Sequence, residues 1–366
     1  MTESQTWYNM DLLGACWMIR SLEQSVASVS FDQHNNLIAG GWDGQIRKWN
    51  SDGDLLWSEE LPDRISEIVF HDNQIIITSG LHIVNLNAET GEINWQHPLE
   101  GSADSVVVEN DEIYVTSSVY DIEHNDFLES AIWKFSLKGE QKWVLRMDER
   151  PWFILSHEAK VIVGLGRPIS GWGEIQPEGE IINHQLETSS PIMCGTKAPE
   201  GVIFGHADGT ISNSKTTQNK FTESIETLTT FENICIASLE GGNLVATDKT
   251  NQDIWGSKGD PISVQAIGFQ SSEVRTHWSV RWSGIKGVLE VRNITDGDLV
   301  AEAEISQTRT ISSNDSRVVI GSDDGKIHVW EKDMFNRRIQ SKSEKGSESS
   351  SQRDALKEKL RSLRNR

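Results

Sequence analysis

A chain of 366 residues with 36% hydrophobic residues, 24% charged residues and eight prolines can bury a large core, and none of its apolar runs is long enough to cross a bilayer as a helix. Its formal charge of −21 is uneven: residues 337–366 carry ten Lys/Arg and four Asp/Glu, a net +6, which leaves −27 on residues 1–336. Phosphate-backbone binding relies on Lys and Arg displacing counterions, so the acidic body is expected to avoid nucleic acid, and only the basic tail could meet it.

The N-terminal stretch MTESQTWYNMDLLGACWMIRS has neither a basic start nor an unbroken apolar segment before a small-residue cleavage site. It does not read as a secretory signal, and the expected location is cytoplasmic. Cys16, Cys194 and Cys235 are too few and too scattered for a disulfide framework or a metal-ligand set. They are expected as small buried apolar residues. The ten histidines show no HxH or HExxH spacing, so no metal site is expected, and His206 and His328 are read as satisfied structural residues in blade strands or turns.

A motif of strand, tight turn, strand and bulky residue first occurs as IRKWNSDGDLLW (46–57), then as IVNLNAETGEINW (83–95) and AIWKFSLKGEQKW (131–143). Weaker copies begin at residues 171, 210, 244, 289 and 327. The eight starts are 37, 48, 40, 39, 34, 45 and 38 residues apart, the period of a four-stranded propeller blade. Upstream of each motif lies a β-branched half such as SVASVSF (25–31) or RVVIGS (317–322), closed by a pair such as Asp43-Gly44, Asp208-Gly209 or Asp324-Gly325. Such pairs suit two-residue hairpins.

Two hairpins per unit predict four antiparallel strands, whose faces are covered only when neighbouring sheets stack into a ring. The expectation is an all-β, eight-bladed propeller over 1–340. Seven blades are the alternative, if TISNSKTTQNKFT (210–222), which lacks both Trp and turn Gly, is an insertion. Fourteen tryptophans against three tyrosines fit a repeated structural use, and Trp57, Trp95, Trp143 and Trp255 are expected between blades. Ring closure is expected to draw on QTWYNMDLL (5–13) or FNRRIQ (335–340) as outer strand of the last blade.

GSDDGKIHVWE (321–331) resembles the end of a WD-repeat, as does GGWDGQIRKWN (40–50), with Asn50 where that family has Asp. LNAETGEINW (86–95) and ATDKTNQDIW (246–255) resemble the tryptophan-docking repeat of the pyrroloquinoline-quinone-like propellers. That second resemblance implies a quinone enzyme with adjacent half-cystines and calcium-binding carboxylates. No two cysteines here are neighbours, so neither cofactor nor catalytic residues are expected.

The function read from the sequence is therefore a non-catalytic scaffold for protein–protein interaction. The alternative is an enzyme or small-ligand binder using the central channel. A monomer is expected, with protein partners and no membrane. In the third unit Tyr120 and Phe127 are read as exposed on a long spacer, in the fourth Arg167 and Trp172 on the neighbouring loop, and in the seventh Arg275, Trp278, Arg281 and Trp282. Aromatic residues and arginine dominate protein contacts; for Trp278 and Trp282 burial in the blade interface is an equal alternative. A flexible linker (341–351) leads to a basic amphipathic helix (352–366), with Leu356, Leu360 and Leu363 on one face and Lys357, Arg361 and Arg364 as its charged contacts.

Overall fold

The computed structural model describes residues 11–338 except 124 and 272 and, for residue 128, the backbone alone. Eight four-stranded antiparallel sheets follow one another along the chain. Blade 1 is β2 (Val26–Phe31), β3 (Leu37–Gly41), β4 (Gln45–Trp49) and β5 (Leu55–Glu60), and blades 2 to 7 repeat this order from β6 (Ile65–His71) to β29 (Leu299–Ile305). Blade 8 takes β30 (Thr308–Ser313), β31 (Arg317–Ser322) and β32 (Lys326–Glu331) from the C-terminal side and β1 (Met18–Ser21) from the N-terminal side. The fifth unit forms a complete blade, with β20 (Thr210–Asn213) paired to β21 (Thr217–Lys220), which removes the seven-bladed alternative.

The closing strand is neither of the two expected from the sequence. Met18 pairs with Val329 and Ser21 with Lys326, while residues 332–338 turn into a short helix, α1. The Glu331 carboxylate accepts the N–H groups of Asp333 and Met334, which starts the helix by satisfying two donors of its first turn. Phe335 is then drawn into a fully buried group with Leu12, Phe269, Trp278 and Trp330, so burial of an aromatic ring overrides strand pairing there. Residues 5–10 lie outside the described residues, and Leu12 to Ala15 form a turn.

Middle strands such as Leu37–Gly41 and Gln74–Ser79 are buried along nearly their whole length because both sheet faces are covered by neighbouring blades. The Asp-Gly pairs close three-residue connections, not the two-residue hairpins expected. Glycine alone of each pair has positive φ (Gly44 at 88°, Gly209 at 85°), and Asp43 Oδ1 and Asp208 Oδ1 each accept a backbone N–H two residues on.

Each innermost strand carries a register shift near its start, as between Ile65 and Glu67, Pro151 and Phe153, and Thr308 and Thr310. A bulge of this kind leaves one residue unpaired and turns its side chain away from the ladder.

At four seams an outer-strand tryptophan locks one blade to the next. The indole N–H of Trp57 donates to the Ala88 carbonyl at 3.2 Å, Trp95 to Leu137 at 2.9 Å, Trp143 to Pro177 at 2.9 Å and Trp255 to Ile294 at 2.8 Å. Each ring lies against a glycine of the following turn, Gly91, Gly139, Gly179 or Gly297, where a Cβ would come within 2.6 to 3.0 Å of the ring. At the seam between blades 8 and 1 Met18 holds the tryptophan's register position against Gly53, and Arg20 donates twice to the Gly53 carbonyl, at 3.0 and 2.6 Å.

Candidate partner-binding face

Strand direction alternates, so the hairpin between the second and third strands of a blade emerges on the same rim as the link to the next blade. On this upper rim the described structure places two arginine–aromatic clusters. In the first, Tyr120 and Phe127 pair across the ends of β11 (Glu112–Asp121) and β12 (Asp126–Ser136), with ring centroids 5.0 Å apart. Phe127 meets Trp152 edge-on at 6.2 Å, and the Arg150 guanidinium lies 3.4 Å from the Phe127 centroid and 4.2 Å from that of Trp152. Trp152 is the unpaired residue of its strand's bulge, which turns an apolar ring to the rim instead of into a seam.

In the second cluster Arg64 and Arg309 lie 4.8 and 5.5 Å from the Trp42 ring. Arg309, again a bulge residue, is also paired with Asp323 at 2.9 Å. Burial pushes the Asp104 carboxyl above the usual carboxylate range, against the pull of the Ser118 hydroxyl and of Arg150 and Arg64. The same burial lowers the Arg150 guanidinium, with Asp104 acting in the opposite direction. This links the two clusters electrostatically.

A cleft of about 640 Å³ opens beside the first cluster, lined by Asp126, Phe127, Arg150, Trp152 and Arg167 and by Thr188, Pro191 and Asp208 from the next blade boundary. Arg167 and Phe127 thus share one cleft, and Tyr120, 47% exposed, stands at its edge through Phe127.

Trp172 is a correction. It is a strand residue of β16 (Gly171–Ile175), 8% exposed, stacked on His184 at 3.9 Å and packed with Phe204 in the seam between blades 4 and 5. The seventh-unit group is another correction, because Val274–Trp282 is one strand, β27, that runs from rim to rim. Seven residue steps, roughly 23 Å, separate its Arg275 and Trp282. Arg275 sits at the lower rim, paired with Asp315 at 2.9 Å and over Phe231 at 5.2 Å. Trp278 is fully buried between blades 7 and 8. Arg281, also buried, donates to the Gly242 and Asp260 carbonyls at 2.6 and 2.9 Å and pairs with Glu290 at 3.1 Å, so it ties blade 6 to blade 7. Trp282 is half-buried at the upper end of the strand. The tail residues Leu356, Lys357, Leu360, Arg361, Leu363 and Arg364 lie outside the described residues.

Trp42, Arg64, Arg150, Trp152 and Arg309 are rim residues that sequence reasoning missed. All fall in hairpins, links or bulges at strand starts, and a Trp or Arg at the first or second position of an innermost strand is the signal that would have found Trp152 and Arg309. The three cysteines are free, and burial pushes Cys16 and Cys235 up to about 12. His206 is buried, with its ring nitrogens 3.1 Å from the Ser190 carbonyl and 2.8 Å from Ser212 Oγ. Among the described residues no group of three or more His, Cys, Asp and Glu is arranged to hold a metal ion, and no helix is long and apolar enough to cross a membrane.

The fold and its seams define an eight-bladed β-propeller that resembles WD-repeat and quinoprotein-like propellers. The family model described as outer membrane protein assembly factor BamB matches residues 15–122 and 42–169, and that of the WD domain, G-beta repeat, matches residues 303–331. No curated protein sequence matches the chain. Among the solved structures that share the fold are three of low identity. BamB from Moraxella catarrhalis is 17% identical with a TM-score of 0.69, covering 86% of this chain and 97% of its own. Sqt1 from Saccharomyces cerevisiae is 11% identical with a TM-score of 0.69, covering 86% and 98%. The computationally designed protein Ika8 is 17% identical with a TM-score of 0.68, covering 85% and 98%.

Proposed function

We propose that this propeller is a non-catalytic platform for protein–protein interaction and that its main contact surface is the upper-rim cleft between blades 3 and 5. The observation that carries this reading is the Arg150 guanidinium set against both Phe127 and Trp152 on the wall of a 640 Å³ cleft. Rigid aromatic rings and a pre-oriented arginine lose little entropy on binding, and this chemistry concentrates affinity in a few residues. The acidic body around these cations favours a partner segment that brings its own apolar and acidic groups to the cleft while the rest of the partner avoids like charge.

The basic tail of residues 352–366 is a second contact on a tether, and two weak contacts joined by a linker gain through effective concentration. The protein acts as a cytoplasmic monomer in this reading.

Affinity capture with the full chain, with the Arg150→Ala/Trp152→Ala variant and with a chain ending at Gln340 tests both parts. The expected result is loss of the main partners from the double variant and their weakened retention on the shortened chain, with unchanged circular dichroism. Equal partner sets for the full chain and the folded double variant would sink the cleft as the contact surface.

A further inference from the structure

Four seams place an indole in the same groove, and register identifies the equivalent position at the others. Trp255 lies opposite Ala246, just before a register shift between Ala246 and Thr247. Ala246 in turn lies opposite Ile236, and the matching residue of blade 5, opposite Ile203, is Asn213. Asn213 already opens the turn, its N–H bonding the Thr216 carbonyl, so the outer strand of blade 5 is too short to place any residue where Trp57, Trp95, Trp143 and Trp255 stand in their blades.

The receiving turn in blade 6 is also homologous. Asp248 N–H bonds the Gln252 carbonyl as Asn87 bonds Glu92 and Asn293 bonds Asp298. The next residue in the docked seams, Ala88 or Ile294, supplies the carbonyl that takes the indole N–H. In blade 6 that residue is Lys249. Asn251, with φ of 63°, replaces the glycine on which the rings lie elsewhere.

A cavity occupies this place between blades 5 and 6, on the rim opposite the cleft, and offers about 60 Å³ to the centres of entering atoms, several times what one water molecule needs. Val202, Ile203, Ile211 and Cys235 supply apolar lining, and Asp248 and Lys249 border it. Glu200 and Glu232 also line it, so three acidic residues and one lysine border the groove.

We propose that this groove binds the indole ring of a tryptophan in a basic segment of a partner protein, with its N–H donated to the Lys249 carbonyl. The chain itself shows four times which ring and which hydrogen bond the groove geometry accepts, and the carboxylates select positive charge beside that ring. The site lies on the other rim from the proposed cleft, so its failure leaves that reading untouched.

The probe is the blocked tripeptide Lys-Trp-Lys, titrated into the full chain and followed by NMR shifts of the groove methyls. Saturable shifts at Val202, Ile203 and Ile211 are expected. At least tenfold weaker binding is expected for the N-methyl-indole version, for Lys-Phe-Lys and for Glu-Trp-Glu. The Asn219→Trp variant fills the groove from its own wall and is expected to abolish binding. Absence of groove shifts at millimolar peptide, equal binding of the methylated ring, or equal binding of free indole would overturn the proposal. The peptide series needs only the wild-type chain, so a variant that fails to fold leaves the outcome decided.

Discussion

The indole N–H of Trp95 donates to the carbonyl of Leu137, 2.9 Å away and one blade further round the ring, while the same ring lies on Gly139. Gly139 has φ of 84°, and an added Cβ would stand 2.7 Å from the ring. Trp95→Phe should therefore cost about 1 to 2 kcal/mol, from one lost hydrogen bond and a poorly partnered carbonyl. Gly139→Ala should cost about 2 kcal/mol or more, because it adds backbone strain to the clash. Urea unfolding of the double variant Trp95→Ala/Gly139→Ala should give less than the sum of the singles, since the clash disappears with the ring. Additive losses would mean that the two residues do not form one lock.

Arg20 is the only side chain of the closing strand that donates to blade 1 in this structure, and both bonds go to the Gly53 carbonyl. Arg20→Met keeps the apolar stem and removes the donors, so stability should fall by about 1.5 to 3 kcal/mol, the range for hydrogen bonds from charged groups. Hydrogen exchange should speed up first at Met18–Ser21 and at the 326–331 strand it pairs with. Exchange that rises evenly over all blades would contradict a local role in closure.

Glu67 keeps some exposed surface yet sits deep among the innermost strands, and that depth pushes its carboxyl up to about 7, opposed by the Val106 N–H that it accepts at 2.7 Å and by Ser105. A carboxyl raised in the folded state is protonated there when the unfolded chain is not. Its stabilising effect is complete below the unfolded value near 4.5 and is lost as pH rises through about 7, at most about 3 kcal/mol in all. Glu67→Gln keeps the acceptor for Val106 and should flatten that part of the stability profile, leaving the variant more stable than wild type at pH 8. Parallel profiles would show that Glu67 is not the group responsible.

His277 is fully enclosed, accepts no visiting charge cheaply and is lowered to about 3 by burial and by Arg292 and Arg281, with Nε2 2.9 Å from Gln265 Oε1. The unfolded chain takes up this proton first as pH falls below about 6.5, so stability is present above that value and drains away down to about pH 3, by on the order of 5 kcal/mol at most. His277→Gln should remove this acid slope in thermal unfolding between pH 6 and 4, whatever its effect on stability at neutral pH. An unchanged slope would assign acid sensitivity to other groups.

The architecture was legible because its signals are local and repeated: Asp-Gly turns, β-branched runs and a recurrent tryptophan at the end of the fourth strand. The pairing of Trp57 with Gly91 or Trp255 with Gly297 was visible as two separate regularities, whose union needs the neighbouring blade. Closure was not legible, since the four residues Met18–Ser21 are too few to show alternation and Phe335 is captured by distant aromatic rings. Of the candidate face, Tyr120, Phe127 and Arg167 could be read from a long hairpin and a glycine-rich loop. Trp172 could not be separated from them, because which side of β16 it faces depends on its pairing with His184. Arg150 and Trp152 were hidden for a similar reason: their meeting with Phe127 depends on adjacent blades converging at the rim.

Residues Met18–Ser21 and their partner strand are about 300 positions apart. At 5 to 20 residues per second, ribosomal synthesis separates their appearance by roughly 15 to 60 seconds. Through that interval the nascent chain is an open arc with two uncovered flanks, and every codon between them lengthens the wait. The last step of biogenesis is thus the return of an early segment to a late one, and no ring can be finished before residues 326–331 have left the ribosome.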